Sequence, residues 1–153
     1  MLDLTIDRDI VIDAPAEVVW RVITEPDQIV RWFADRVELE VRPGATGHFV
    51  FVADEQGTEV MAALAVESVE PPHRFAFRWS TSADGTLEAD NSVLVEFTLT
   101  VEDGARTRLR VTETGLDRLA WSDDEKQRYV EDHRHGWAHH FGRLATLLDA
   151  GPG

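Results

Sequence analysis

SDDEKQRYVEDHRHGWAHHFGRLATLLD, residues 122–149, is the stretch that decides the fold. At 100° per residue, Tyr129, Val130, His133, Trp137, His140, Leu144, Leu147 and Leu148 fall on one stripe, with Phe141 at its border. Asp132, His135 and His139 fall on the opposite side. The period predicts a helix of about 27 residues, roughly 40 Å long at 1.5 Å per residue. Ser122 reads as its N-cap, and Glu125, three residues later, completes a capping box. A long helix that is apolar on one side needs an apolar surface to lie on.

That surface comes from the residues upstream. Leu109 and Val111 alternate with Arg108, Arg110 and Thr112, and Val93, Val95, Phe97, Leu99 and Val101 alternate with Glu96, Thr98 and Thr100. Glu102-Asp103-Gly104 reads as the hairpin turn between these two runs. Residues 74–80 place Phe75, Phe77 and Trp79 on one face and Ala76 and Arg78 on the other; residues 82–91 read as a polar loop. Residues 60–69 form a long apolar run ended by Pro71-Pro72. Two further strands are expected over residues 37–41 and 48–52, with turns at Pro43-Gly44 and at residues 55–57. Period two with one polar face means antiparallel strands covered on one side only. Further upstream, residues 8–13 read as a first strand. Pro15 suits a first helical position, and two short helices follow, one carrying Val18, Val19, Val22 and Ile23, the other starting at Pro26 and carrying Ile29, Val30, Trp32 and Phe33.

The order is therefore strand, two short helices, six strands and one long helix: an α+β chain whose single long helix covers the aromatic face of an antiparallel sheet. At 153 residues the expectation is one domain, 1–153, with its core over about residues 6–149. Apolar residues at 43% and charged residues at 29% argue against a disordered chain. Fifteen basic against twenty-nine acidic residues give a net charge of −14, which disfavours partners bound through phosphates, nucleic acid and anionic membranes alike. No run approaches the roughly 20 apolar residues of a membrane span, and the first residues do not read as a signal peptide. The absence of cysteine removes disulfides, thiolate metal sites and thiol nucleophiles and fits a cytoplasmic location.

Residues 12–20 (IDAPAEVVW), Pro26 and Arg31-Trp32-Phe33, residues 71–79 (PPHRFAFRW) and Gly136-Trp137 together resemble the START-like (SRPBCC) superfamily. They are most similar to its branch named for activators of the heat-shock protein 90 ATPase. The resemblance spans about residues 6–149. It implies the helix-grip (START-like, Bet v 1-like) fold, a curved antiparallel sheet of about seven strands wrapped around the C-terminal helix with a cavity between. Ala14 stands where the family often has a serine cap. No catalytic residues, cofactor or metal carry over from the resemblance.

A strongly curved sheet does not touch a straight helix along its whole length, and an apolar gap of that kind is where small ligands bind. The expected lining is Trp32, Phe49, Phe51, Met61, Phe77, Trp79, Val95, Phe97, Tyr129, His133 and Trp137. Glu113 shares the parity of Leu109 and Val111 and faces the helix as a polar anchor. The favoured function is binding of a small hydrophobic or aromatic molecule. Two alternatives stand beside it: a co-chaperone-like protein-interaction domain, monomeric or homodimeric, and a polyketide cyclase-like enzyme using Glu113 and His133 as acid and base. The helical pair His135 and His139, with Asp132, has metal-ligand spacing but lies opposite the apolar stripe and lacks the zinc-protease glutamate, so it reads as a solvated face. Neither a nucleophile elbow nor a phosphate-binding glycine loop occurs.

Overall fold

The computed structural model describes residues 3–81, 87 and 91–149. The polar loop expected over residues 82–91 falls, apart from Leu87 and Asn91, outside the described residues. Strand β1 (Ile6–Ile12) leads to helices α1 (Ala16–Thr24) and α2 (Pro26–Ile29). Six strands follow: β2 (Arg36–Glu38), β3 (Thr46–Val52), β4 (Glu59–Glu70), β5 (Arg74–Ser80), β6 (Ser92–Asp103) and β7 (Arg106–Thr114). A 3₁₀ turn (Leu116–Arg118) then connects to α3 (Asp123–Asp149). All strands join one curved antiparallel sheet in the order β1-β7-β6-β5-β4-β3-β2. This is the helix-grip arrangement that the alternation of residues 74–80 and 93–111 implied.

The inner face is built row by row. Ile6 pairs with Glu113, Glu113 with Val95, Val95 with Phe77 and Phe77 with Val66, so one row crosses five strands and contains a single polar side chain. A register shift between Val66 and Ser68 interrupts the β4–β5 ladder, a feature that bends a strand and increases its twist. On the outer face, Arg108 bonds Asp9 (2.6 Å) and Glu102 (2.5 Å), Arg110 bonds Asp7 (2.7 Å), Arg78 bonds Glu67 (2.6 Å) and Arg74 bonds Glu96. Such exposed pairs each contribute little, about 0–1 kcal/mol. Their long stems nonetheless cover apolar surface, and Ala76, whose parity is outward, is fully buried.

Local chemistry explains the helix ends. Glu125 N–H donates to Ser122 Oγ (3.2 Å), and Ser122 N–H reaches back to Glu125 Oε1 (3.3 Å), closing the capping box. Pro15 is the N-cap of α1 rather than its first residue, its carbonyl accepting from Val18 and Val19. The second helix is shorter than its apolar pattern suggested: it ends at Ile29, and Val30 is exposed. Residues 30–33 continue as turns that swing Trp32 and Phe33 inward, where the Trp32 indole N–H donates to Val22 O (2.9 Å). Phe141, placed at the border of the helical stripe, is one of its most deeply buried members. No helix among the described residues is long and apolar enough to cross a membrane.

Gly47 sits where β2 crosses close over β3. A Cβ there stands 2.2 Å from the Glu38 carbonyl oxygen, and that backbone cannot yield without breaking the edge strand. Gly47→Ala is expected to lower stability by about 1–3 kcal/mol. Ser122→Ala, which removes the cap, should cost about 1 kcal/mol. Urea denaturation with an unchanged m-value checks both; a wild-type midpoint for Gly47→Ala contradicts the close crossing.

Candidate functional site

The Glu113 carboxylate lies in an apolar row with its side chain fully buried, so it must find hydrogen bonds inside the protein. Helix α3 supplies them from three successive turns. Trp137 Nε1–H donates to Glu113 Oε1 at 2.6 Å, and Tyr129 Oη–H donates to Oε2 at 2.8 Å. His133 Nδ1 lies 2.6 Å from Oε1, and a carboxylate that is acceptor-only makes Nδ1 the protonated nitrogen. Trp79 Nε1–H donates in turn to Tyr129 Oη (3.2 Å), so β5 joins the network. Residues 129, 133 and 137 are spaced four apart, which puts all three on one face of the helix. Burial and the neighbouring Glu113 charge together push the Tyr129 phenol well above its ordinary range, leaving it a neutral donor.

Helix α3 is pinned toward β1 by Arg134, which donates to the Thr5 carbonyl from Nε (2.9 Å) and a terminal nitrogen (2.6 Å). On the far side, toward β3 and β4, helix and sheet part. A cavity of about 380 Å³ opens there. Its sheet wall is Phe51, Val60, Met61, Ala62 and Trp79, with Ser80 and Thr81 at the end of β5, its helix wall runs from Tyr129 to His140, and Phe33 completes the lining. The planes of Phe33, Trp79 and Trp137 are nearly parallel, with centroids 5.4–6.1 Å apart. Gly136 lies on the helix wall, and a Cβ built there meets no described atom within 4 Å. The missing side chain is part of what leaves the space open.

Six of the residues expected to line a cavity do so: Phe51, Met61, Trp79, Tyr129, His133 and Trp137. Trp32, Phe49, Phe77, Val95 and Phe97 do not border it. They are fully buried where helix and sheet meet, and the void beside four of them measures about 10 Å³, which holds no ligand. The cavity lies toward β3 and β4 because the Glu113 network and Arg134 hold the helix down over β7 and β1, toward the opposite margin. Glu113 itself stands behind the helix wall. The expected lining left out Val60, Ala62, Ser80, Thr81 and Gly136, together with Phe33 and His140, which the apolar pattern turns inward without a place in the lining, and the helical period puts Asp132 on the far face although it borders the cavity. A glycine inside the helical pattern was the available signal for Gly136. Among the described residues no group of three or more His, Cys, Asp or Glu is placed to hold a metal ion.

His140 is the second imidazole on this wall. Its Nδ1 is buried without a well-formed hydrogen bond. Desolvation is the chief cause that lowers its pKa to about 4, with the Trp32 backbone opposing weakly. The aromatic edges of Phe33 and Trp137 surround it, at centroid distances of 4.8 and 6.2 Å.

The sequence pattern of the family described as Activator of Hsp90 ATPase homolog 1-like protein matches residues 13–149. The chain belongs to that family. Membership agrees with the START-like branch read from residues 12–33 and 71–79. Among solved structures, DynU16 from the dynemicin biosynthetic locus is 26% identical with a TM-score of 0.76, covering 98% of this chain and 49% of its own. This chain thus spans about half the length of DynU16. Protein MLL2253 of Mesorhizobium loti is 23% identical with a TM-score of 0.76, the match covering 97% of this chain and 99% of that one. The Aha1 dimer of Colwellia psychrerythraea is 18% identical with a TM-score of 0.75 and full coverage of both chains. The last two show a common fold. Among curated proteins, none matches this chain.

Two outcomes follow from this geometry. Glu113→Ala leaves three donors without their acceptor, the Trp137 indole fully buried and Tyr129 and His133 partly so, and is expected to cost about 3–5 kcal/mol, read by urea denaturation; a loss below about 1 kcal/mol contradicts the network. His140 is neutral in the fold down to about pH 4, whereas in the unfolded chain it takes a proton near its ordinary 6.5. The stability it contributes is therefore whole above pH 6.5 and drains away as pH falls toward 4. His140→Phe should make unfolding less pH-sensitive in that window and favour the variant at pH 5 relative to pH 7. Parallel slopes for variant and wild type between those two pH values contradict this.

Proposed function

We propose that the chain is one START-like domain whose cavity binds a small, largely apolar molecule with an aromatic or otherwise flat body. One observation carries this: about 380 Å³ of space walled by Phe33, Phe51, Met61, Trp79 and Trp137, within the size and composition of small-molecule sites. The likeness to DynU16, a protein of a biosynthetic locus, supports a small-molecule role without naming the molecule. The absence of cysteine supports a cytoplasmic setting. The acidic surface, the family name and the dimeric Colwellia relative are what a protein-partner reading rests on, and the same experiment separates the two.

Titration with the apolar fluorophore N-phenyl-1-naphthylamine should give saturable binding at one site per chain. Gly136→Leu extends a side chain into the open space at that position and replaces a helix-interior glycine, which by itself favours the helix by about 0.5–1 kcal/mol. It should abolish dye binding while leaving the urea midpoint at or above wild type. Dye bound equally well by Gly136→Leu, or displaced by moderate salt in the manner of a charged surface, removes the cavity as the site.

A further inference from the structure

The polar groups of the cavity wall select a ligand. Among the described residues no lysine or arginine lines the space. A carboxylate, phosphate or sulfate entering it would lose its hydration with no cation to meet it, a cost of several kcal/mol per charge, and Asp132 on the wall adds repulsion. An ammonium group meets one open carboxylate on the wall, Asp132, which is solvent-exposed and so attracts it only weakly. The Glu113 oxygens are already engaged by Trp137, His133 and Tyr129, and its side chain is fully buried. An uncharged, hydrogen-bonding group is left. Ser80, Thr81, Tyr129, His133 and His140 all border the space. Thr81 and Tyr129 already donate to the Asn91 carbonyl and to Glu113, and the imidazole held by Glu113 is the partner whose orientation is set.

That partner is His133. Its Nδ1 is held by Glu113 at 2.6 Å, and one face of its ring is covered by Tyr129 at 3.7 Å in a near-parallel stack. Trp79 stands edge-on to it at a centroid distance of 5.8 Å. The side chain keeps 28% of its surface exposed and borders the cavity. A histidine whose Nδ1–H is fixed on a carboxylate has its tautomer set, and the other nitrogen becomes the acceptor. We propose that His133 presents Nε2 to the cavity as the recognition point for a ligand hydroxyl on an aromatic ring, so that the site is selective for a phenol-type or naphthol-type molecule. This rests on the cavity reading above and adds the ligand's chemistry to it.

A hydroxyl is the group that fits Nε2 in either protonation state of the ring. It donates to the neutral imidazole and accepts from the imidazolium, whereas an ether or a carbonyl does only the second. The titratable groups around His133 are Glu113 on β7 and Tyr129, Asp132 and His140 on α3. The aromatic ring is called for by the walls: Phe33, Trp79 and Trp137 lie nearly parallel, which suits a flat body against their faces or edges. A buried acceptor left unpaired by an ether analogue is the source of discrimination, since such sites reject the analogue lacking the donor far more strongly than the loss of packing alone predicts.

The test compares 1-naphthol with its methyl ether, 1-methoxynaphthalene, by calorimetric titration near neutral pH. The naphthol should bind at least about 10-fold tighter than the ether, equivalent to about 1.4 kcal/mol. In His133→Phe the ratio should fall to about one through loss of naphthol affinity, with the ether bound as well as before. In wild-type protein the His133 ring-nitrogen resonance should move on adding naphthol and stay in place with the ether, a readout that does not depend on the variant folding. If neither compound binds, the cavity reading falls and this inference with it. If both bind with equal affinity, or 1-naphthylmethylamine binds tightest, the cavity stands as a binding site and the hydroxyl selectivity is wrong.

Discussion

Everything about the inner face is organised by one carboxylate that has no water. Glu113 stands in a row otherwise made of Ile6, Val95, Phe77 and Val66, and so polar a side chain is tolerable there because Tyr129, His133 and Trp137 converge on it. Those donors come from positions 129, 133 and 137 of one helix, so a single acceptor fixes three turns at once. Apolar packing by itself is non-directional; Leu144 or Leu148 would pack nearly as well after a small slide. The distances from Tyr129, His133 and Trp137 to Glu113 permit no such slide. The network thus sets the axial position and rotation of α3, and hydrophobic burial supplies most of the adhesion.

The cavity is a consequence of where that anchor lies. Glu113 is on β7, second in the sheet order, and Arg134 ties the same stretch of helix toward the chain ahead of β1. A straight helix held over β1 and β7 does not follow a curved sheet to its other margin. The gap therefore falls over β3 and β4, and Gly136 widens it from the helix side. Beneath the anchored centre the packing is tight, with only about 10 Å³ unfilled among Trp32, Phe49, Phe77 and their neighbours. Tight packing and open space are thereby assigned to different ends of the same layer.

This also explains which parts were legible in the sequence. Period two in residues 93–111 and period 3.6 in residues 129–148 are one-dimensional signals, and they report faithfully which way a side chain points. They placed Glu113 inward beside Leu109 and Val111, and His133 and Trp137 on the facing stripe. They do not report how far apart two inward faces stand. Phe49 and Phe51 share a parity, yet one is core and the other cavity wall, because the divergence of helix and sheet grows across that short distance. Trp32 and Phe33 were harder still. Their positions depend on turns after Ile29 that the run of apolar residues masked as continued helix. His140 carried the stripe's period, but its unmet Nδ1 has no sequence signature at all.

A polar anchor at the join between helix and sheet has a cost that an all-apolar join would avoid, since replacing buried polar networks by well-packed apolar groups is often neutral or better for stability. Its place in this fold is therefore best read through what it does besides holding the helix. Once His133 is committed to Glu113 on one nitrogen, the other is directed and its tautomer fixed, on a ring stacked against Tyr129. The same bonds that clamp the helix thus leave a preset polar point on a wall otherwise dominated by aromatic side chains. An apolar clamp would leave the space without it. The Glu113 clamp adds orientation, and on the proposed reading that orientation is what would let a packing defect at the margin of a sheet discriminate between ligands.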